Sequence, residues 1–155
     1  MIFVMVGTHS MSFERLVKAM DEIAEKEEVV IQTGNTDYKP RNARYFAFAG
    51  IREVRGYIKK AEVVVTQGGI GSVSDSLRYG KPTVVVPRLK KYGEHTNDHQ
   101  LDLTRELEKE GRIIAVYDIM DLPRAIEKAK TMVVKKGEAK EGVIDIIETY
   151  IEGLE

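Results

Sequence analysis

The densest cluster of residues fit for chemistry is Thr66-Gln67-Gly68-Gly69-Ile70-Gly71-Ser72, between a short apolar run and an amphipathic one. Glycines let a backbone approach a ligand closely and adopt positive φ. Where a strand turns into a helix, the first N–H groups of the helix lack intrahelical partners, and the helix dipole favours an anion. The pattern predicts free N–H groups at Ser72 and Val73, a diphosphate as their guest, and the Ser72 hydroxyl as an added donor. A tight turn with no ligand is the simpler alternative, but three glycines in four positions exceed what a turn requires. Asp75 falls on the first turn of the same helix. It either complements the dipole or accepts two hydrogen bonds from a ribose diol. Gly7-Thr8-His9 follows the first apolar run, so Thr8 and the backbone around it are placed to face the same ligand. His9 is either an acid/base or phosphate-donor group or an exposed loop histidine. A third cluster, Tyr92-Gly93-Glu94-His95-Thr96-Asn97-Asp98-His99-Gln100, offers Asp98, His99 and Gln100 as hydrogen-bonding partners for sugar hydroxyls.

Other chemistries fit less well. A Walker A loop needs Gly, four residues, then Gly-Lys-Ser/Thr; here Gly80-Lys81 precedes Pro82, and Asp75 stands at the required first glycine. A dinucleotide fingerprint follows the first strand, whereas Gly69-x-Gly71-x-x-Ser74 follows the fourth and lacks its last glycine. No nicotinamide or flavin cofactor is expected. A metal site at His95, Asp98 and His99 would need residues 95 and 99 on one helix face, and Asn97 as a helix cap breaks that helix. No metal is expected. There is no Gly-x-Ser-x-Gly elbow, no Asp-x-Asp pair and no evident base beside Ser72, which argues against nucleophilic hydrolysis.

The elements that must position these loops follow from hydropathy patterning. Ile2–Val6 is apolar on successive residues, as in a strand buried on both faces. Ser12 is the expected cap of a helix carrying Leu16, Met20, Ile23 and Ala24. Val29–Gln32, Tyr45–Phe48, Val63–Thr66, Pro82–Val86 and Ile113–Val116 read as further strands. Helices are expected at Ile51–Ala61, at Ser72–Tyr79 closed by Gly80, from Asn97 to Gly111 with Leu103 and Leu107 inward, at Leu122–Val134, and at Ala139–Ile151. The alternation predicts an α/β, Rossmann-like parallel sheet of about six strands with helices on both faces. Ligands of such sheets lie beyond the carboxyl ends of the strands, which is where all three clusters fall.

The chain has 155 residues, 24 basic and 25 acidic side chains, and no cysteine. That length predicts a single domain, 1–155. The near-zero charge argues against a general nucleic-acid coat. The lack of cysteine excludes disulfide scaffolds, thiol nucleophiles and Cys-ligated metals, and fits a cytoplasmic chain. No apolar run approaches 18 residues, and the N-terminus does not read as a signal peptide.

Taken together, Val4-Met5-Val6-Gly7-Thr8-His9, Phe13-Glu14-Arg15-Leu16-Val17, Ile31-Gln32-Thr33-Gly34, Gly68-Gly69-Ile70-Gly71-Ser72, Gly80-Lys81-Pro82 and Glu94-His95-x-x-Asp98-His99-Gln100 resemble PssE-like glycosyltransferase subunits. These correspond to the C-terminal half of family 28 glycosyltransferases, and to the soluble subunit of a two-part dolichol-pathway N-acetylglucosaminyltransferase. The resemblance covers about residues 1–125. It implies a GT-B C-terminal half that binds a UDP-sugar donor without a metal ion. The lipid-linked acceptor would sit on a separate membrane-anchored subunit, and the chain would work at the cytoplasmic face of the membrane when bound to that partner. By carry-over, Gly68, Gly69, Gly71 and Ser72 hold the diphosphate, Gly7 and Thr8 face it, Asp75 takes the place of a ribose-binding Glu, and Asp98, His99 and Gln100 contact the donor sugar. Many such subunits have His where Gln67 stands and Glu where Asp75 stands; the shorter Asp makes a direct ribose contact less secure. His9 is the candidate catalytic residue, with the base otherwise supplied by the partner.

Two other functions compete. A regulatory or scaffolding subunit would keep the fold without transfer, and a stand-alone epimerase would need a second Rossmann-like half. The segment 138–155, rich in apolar residues beyond one helical face, either docks the partner or packs on the chain's own sheet. Without a partner the chain is expected to self-associate.

Overall fold

The structure is a computed structural model that describes residues 1–134; the helix expected at Ala139–Ile151 and the docking segment 138–155 lie outside the described residues. Six strands, β1 (Ile2–Met5), β2 (Val29–Gln32), β3 (Arg44–Phe46), β4 (Val63–Gln67), β5 (Thr83–Val86) and β6 (Ile114–Ala115), form one sheet in the order β3-β2-β1-β4-β5-β6. Every pairing is parallel. Five helices accompany them: α1 (Glu14–Ile23), α2 (Ile51–Lys60), α3 (Ile70–Arg78), α4 (His99–Lys109) and α5 (Leu122–Lys130). The Rossmann-like parallel sheet expected from the alternation of runs is the observed one.

The continuous apolar runs of the strands are explained by burial on both faces. Ile2 and Val4 join a core with Leu16, Val17 and Met20 of α1 and Leu122, Ile126 and Ala129 of α5. Phe3 and Met5, alternating with them, join Val64 and Ile58 of α2 on the opposite face. Val85 meets Val73 and Leu77 of α3 and Leu103 and Leu107 of α4 in a third cluster. Each fully buried side chain of this size contributes about 1.5–3 kcal/mol.

The strand order reverses direction between β1 and β4, because β2 lies on one side of β1 and β4 on the other. The crevice at such a reversal, beyond the strands' carboxyl ends, is the place where parallel sheets bind ligands. The loops after β1 and β4 meet there.

Several boundaries differ from expectation for local reasons. Helix α1 begins at Glu14 behind Phe13, not behind Ser12, because the buried Phe13 N–H is held by Thr36 Oγ1 at 3.0 Å. Strand β3 ends at Phe46 instead of Phe48. Its neighbour β2 stops at Gln32, and Gly34 turns away with φ 55°. Only Ile114 and Ala115 of the Ile113–Val116 run pair as β6. Helix α5 stops at Lys130, short of Val134. Helix α4 starts at His99, with Asp98 in the cap position; Asn97 Oδ1 still accepts the His99 N–H at 3.0 Å.

Candidate functional site

The loop after β4 turns into α3 two residues earlier than the sequence suggests. Gly69 occupies the cap position and Ile70 is the first helical residue. The N–H groups that precede the first intrahelical bond are therefore those of Ile70, Gly71 and Ser72. Val73 N–H, expected to be free, already donates to Gly69 O at 3.1 Å. The anion-favouring end of the helix is retained, shifted by about half a turn.

A cavity of about 320 Å³ opens in front of this helix end, within the range of small-ligand sites. Gly71, Ser72 and Asp75 of α3 line it, facing Gly7 and Thr8 of the first loop. Gln67, Gln32 and Met5 form its floor, and Phe48, Ala49 and Val54 an apolar wall. The structure thus brings together Gly7, Thr8, Gly71, Ser72 and Asp75, drawn from two loops about 60 residues apart in sequence. The Asp75 carboxylate lies 3.9 Å from Arg55 and 3.7 Å from Arg78, two cations that share its charge.

The four glycines carried over as ligand contacts have different physical roles. A Cβ at Gly68 would lie 2.8 Å from Thr104 Oγ1 and 3.0 Å from Gln100 O, so this glycine lets α4 approach β4. A Cβ at Gly69 would lie 2.6 Å from Gln67 Nε2. A Cβ at Gly7 would overlap the same amide, and Gly7 also takes φ 80°. Of the four, only Gly71 opens onto empty space.

The cluster after β5 is distributed differently from the expectation. Gln100 is buried under the β4 loop, where its Oε1 accepts the N–H groups of Gly68 at 3.0 Å and Arg88 at 3.1 Å. Asp98 Oδ1 accepts the Lys90 N–H at 2.9 Å. Neither Asp98 nor His99 lines the cavity; Asp98 lines a neighbouring depression with Leu101, Arg105 and Tyr117. His9 also stands outside the cavity. Its ring lies 4.4 Å, centre to centre, from that of His95, tying the first loop to the loop before α4. His9 Nδ1 accepts the Met11 N–H at 3.0 Å, so the neutral ring carries its proton on Nε2. Burial, then the charge of Arg88, holds His9 below the ordinary histidine range. Burial and the charges of His9, Arg88 and His99 do the same to His95, against the pull of Asp98. In this arrangement the Nδ1 lone pair of His9 is taken up by a backbone N–H.

Three residues that organise the site were not among the candidate site residues, although Gln32 and Gln67 stand inside quoted motifs. Arg88 is fully buried; its guanidinium donates to Val6 O at 2.7 Å, Met11 O at 2.8 Å, Glu94 O at 3.0 Å and Gln67 Oε1 at 2.9 Å. It also lies over the Phe13 ring, 4.8 Å from its centre. Burial lowers its pKa to about 10, against the opposing pull of Glu94, and it stays charged at neutral pH. Glu94 in turn takes a two-pronged bond from Arg15, both contacts at 2.9 Å. Gln32 clamps the first loop: its Oε1 accepts the Gly7 N–H at 3.1 Å, and its Nε2 donates to Gly7 O at 3.2 Å and Ala47 O at 2.9 Å. Gln67 is the third. The signal that points to them is positional: each is a long polar side chain at or just past the carboxyl end of a central strand.

The family model described as the glycosyltransferase family 28 C-terminal domain matches residues 1–147. The chain belongs to this family. A UDP-N-acetylglucosamine–N-acetylmuramyl-(pentapeptide) pyrophosphoryl-undecaprenol N-acetylglucosamine transferase of Thermotoga maritima is 26% identical over 141 residues, covering 87% of this chain and 40% of the transferase. The UDP-N-acetylglucosamine transferase subunit ALG13 of Mus musculus is 34% identical over 126 residues, covering 72% of this chain and 10% of that protein. The chain therefore spans well under half the length of these curated relatives. In three dimensions, the solution structure of ALG13 superimposes with a TM-score of 0.60 at 16% identity, covering 86% of this chain and 87% of that one. The glycotransferase of kitacinnamycin superimposes with a TM-score of 0.66 at 18% identity, covering 96% of this chain and 39% of that one. The family 28 domain and the Rossmann-like architecture expected from the motifs are both present, and the chain is a relative of the ALG13 subunit.

Proposed function

We propose that this family 28 domain is the donor-binding subunit of a glycosyltransferase. It takes a UDP-sugar in the cavity between the first loop and α3, and works with a membrane-anchored subunit that brings a lipid-linked acceptor. The observation that carries this reading is the convergence at the β1/β4 reversal. Gly71 and Ser72, in the first turn of α3, lie at one side of the cavity, Thr8 stands opposite, and a buried amide, Gln67, forms the floor. Donor groups without acceptors suit a diphosphate, and the Phe48 and Val54 wall suits a nucleobase.

Transfer breaks the bond between the sugar's anomeric carbon and the terminal phosphate oxygen, leaving both bonding electrons and negative charge on UDP. Preorganised N–H groups at a helix end stabilise that developing charge. The acceptor hydroxyl forms the new bond and loses its proton to a base. His9 lies outside the cavity with its Nδ1 taken up by the Met11 N–H, and we assign the base to the partner's side.

The test is co-expression with a membrane protein encoded beside this chain, followed by incubation of the membranes with labelled UDP-N-acetylglucosamine and other UDP-sugars. Transfer of label to the lipid fraction only when both chains are present supports the proposal. Equal transfer by the membrane protein alone assigns this chain a regulatory role instead.

A further inference from the structure

Charge is unevenly spread over the chain. Residues 39–60, which lead into β3, form it and continue through α2, hold seven of the 24 basic side chains and one of the 25 acidic ones. The rest of the chain is therefore net acidic, and the β3 edge of the sheet is its positive pole. Arg41, Arg44, Arg52, Lys59 and Lys60 are all exposed. The end of α3 and the turn after it add Arg78 and Lys81, and contacts tie them to α2 as one face. Arg55 and Arg78 share the Asp75 carboxylate, at 3.9 and 3.7 Å. Lys59 lies over the Tyr79 ring, 5.4 Å from its centre, and Lys81 Nζ donates to Lys59 O at 2.7 Å. Three carboxylates, Glu53, Glu62 and Asp75, stand among the six cations from Arg52 to Lys81, so the face keeps a positive excess.

Apolar side chains are exposed at the same end of the sheet. Tyr45, Phe48 and Ile51 are 45%, 53% and 60% exposed, and they belong to the same stretch as the cations. The core beneath α2 is already filled by Tyr57 and Ile58 against Phe3, so the fold does not need these three. A single bound anion would need cations converging on one point, whereas these are spread along a helix of about 15 Å. RNA would use the cations, but Ile51, the most exposed of the three, has no π-face on which a base could stack. The boundary between lipid headgroups and acyl chains suits the whole set: Lys and Arg meet lipid phosphates, and apolar tips enter the acyl edge.

We infer that the β3 edge and the outer side of α2 form a contact surface for an anionic lipid bilayer, which this chain reaches by itself, without a membrane subunit. The same bilayer repels the acidic remainder of the chain, so the molecule docks in one orientation. Phe48 also belongs to the cavity wall, so docking sets the cavity mouth beside the bilayer, where a lipid-linked acceptor would be carried. The inference stands on the placement of charged and apolar side chains and does not rest on the donor-site reading.

The test is co-sedimentation of the full-length chain, without nucleotide, with vesicles of phosphatidylcholine alone or of phosphatidylcholine and phosphatidylglycerol in equal parts. The inference predicts sedimentation with the anionic vesicles only, weakening as salt rises from about 0.05 M to about 0.5 M, because screening shortens the reach of the charges. Arg52→Gln, Lys59→Gln and Lys60→Gln together remove three exposed cations that do not line the cavity, and are expected to weaken vesicle binding at least about tenfold. Lys26→Gln, Lys109→Gln and Lys128→Gln together remove the same charge from exposed positions elsewhere, and are expected to leave binding within about twofold. Melting temperatures check both triple variants; if the first melts early, Arg52→Gln and Lys60→Gln singly are each expected to cost about fivefold. No sedimentation with anionic vesicles overturns the inference, whether or not the chain then retards an RNA oligonucleotide. So does undiminished binding by the first triple variant, or equal loss in the two triple variants, since either outcome puts the lipid contact elsewhere. A UDP titration of the first triple variant reads the donor site separately, and its affinity is expected to be unchanged.

Discussion

At the scale of single residues, the glycines of the β4 loop separate packing from binding. Gly68 is pressed against Thr104 and Gln100 of α4, whereas Gly71 faces open space inside the first turn of α3. Replacing each with alanine should give opposite results. Gly68→Ala forces a methyl against backbone and a buried hydroxyl, and is expected to destabilise by about 1–3 kcal/mol. Gly71→Ala adds a better helix former without a clash, and is expected to be neutral or to stabilise by up to about 1 kcal/mol. Urea unfolding of both variants checks the pair; equal losses would contradict the separation. The sequence alone shows that several glycines cluster, and so suggests that all of them serve the ligand. Which of them is spent on the approach of α4 depends on a helix about 30 residues away, and no local pattern carries that. Gln100 departs from expectation for the same reason: its polarity suits a sugar, but its position under Gly68 is decided by how α4 docks. Arg88 shows neither a motif nor a periodicity, and its role emerges only when five carbonyl and amide oxygens from four segments surround it.

At the scale of elements, strands were legible as continuous apolar runs and helices from their apolar spacing, and the differences sit at their ends. The start of α3 moves to Ile70 because Gly69 takes the extended cap conformation, φ −76° and ψ 140°. The connection from β2 to β3 is the other instructive element. Its sequence reads as a plain loop, yet one buried carboxylate organises it. Asp21 of α1 accepts the N–H groups of Arg41, Asn42 and Ala43 and the Tyr38 hydroxyl at 2.8 to 3.1 Å. Burial alone would raise its pKa; the three N–H groups and Tyr38 outweigh burial and hold it below the usual aspartate range. A carboxyl depressed in the folded state stabilises the fold above its unfolded pKa, and that contribution is lost as pH falls through about 4 and below. Asp21→Asn keeps one acceptor oxygen but loses the charge. It should cost about 1–3 kcal/mol at neutral pH. Its melting temperature should also fall less steeply than the unaltered chain's between about pH 5 and pH 3. Parallel slopes for the two proteins would assign the acid sensitivity to other carboxylates.

At the scale of the whole molecule, the sheet order of this family 28 domain brings the first and fourth strand ends together, and the proposed donor site lies at that corner. The ordered motifs made the family and the fold readable from the chain, because each motif sits where a strand ends. The candidate site was legible at Gly7, Thr8, Gly71, Ser72 and Asp75 in that these residues line one cavity. It was less so at His9, Asp98 and His99, which depend on how the loops before α1 and α4 fold over each other. The central claim is that the opening of α3 binds the diphosphate of a nucleotide. Isothermal calorimetry of UDP against the unaltered chain and Gly71→Val tests it most directly, since Gly71 lines the cavity and a Cβ added there meets no protein atom. The account predicts measurable UDP binding by the unaltered chain and none by a Gly71→Val variant that melts at a similar temperature; equal affinity in the two would contradict it.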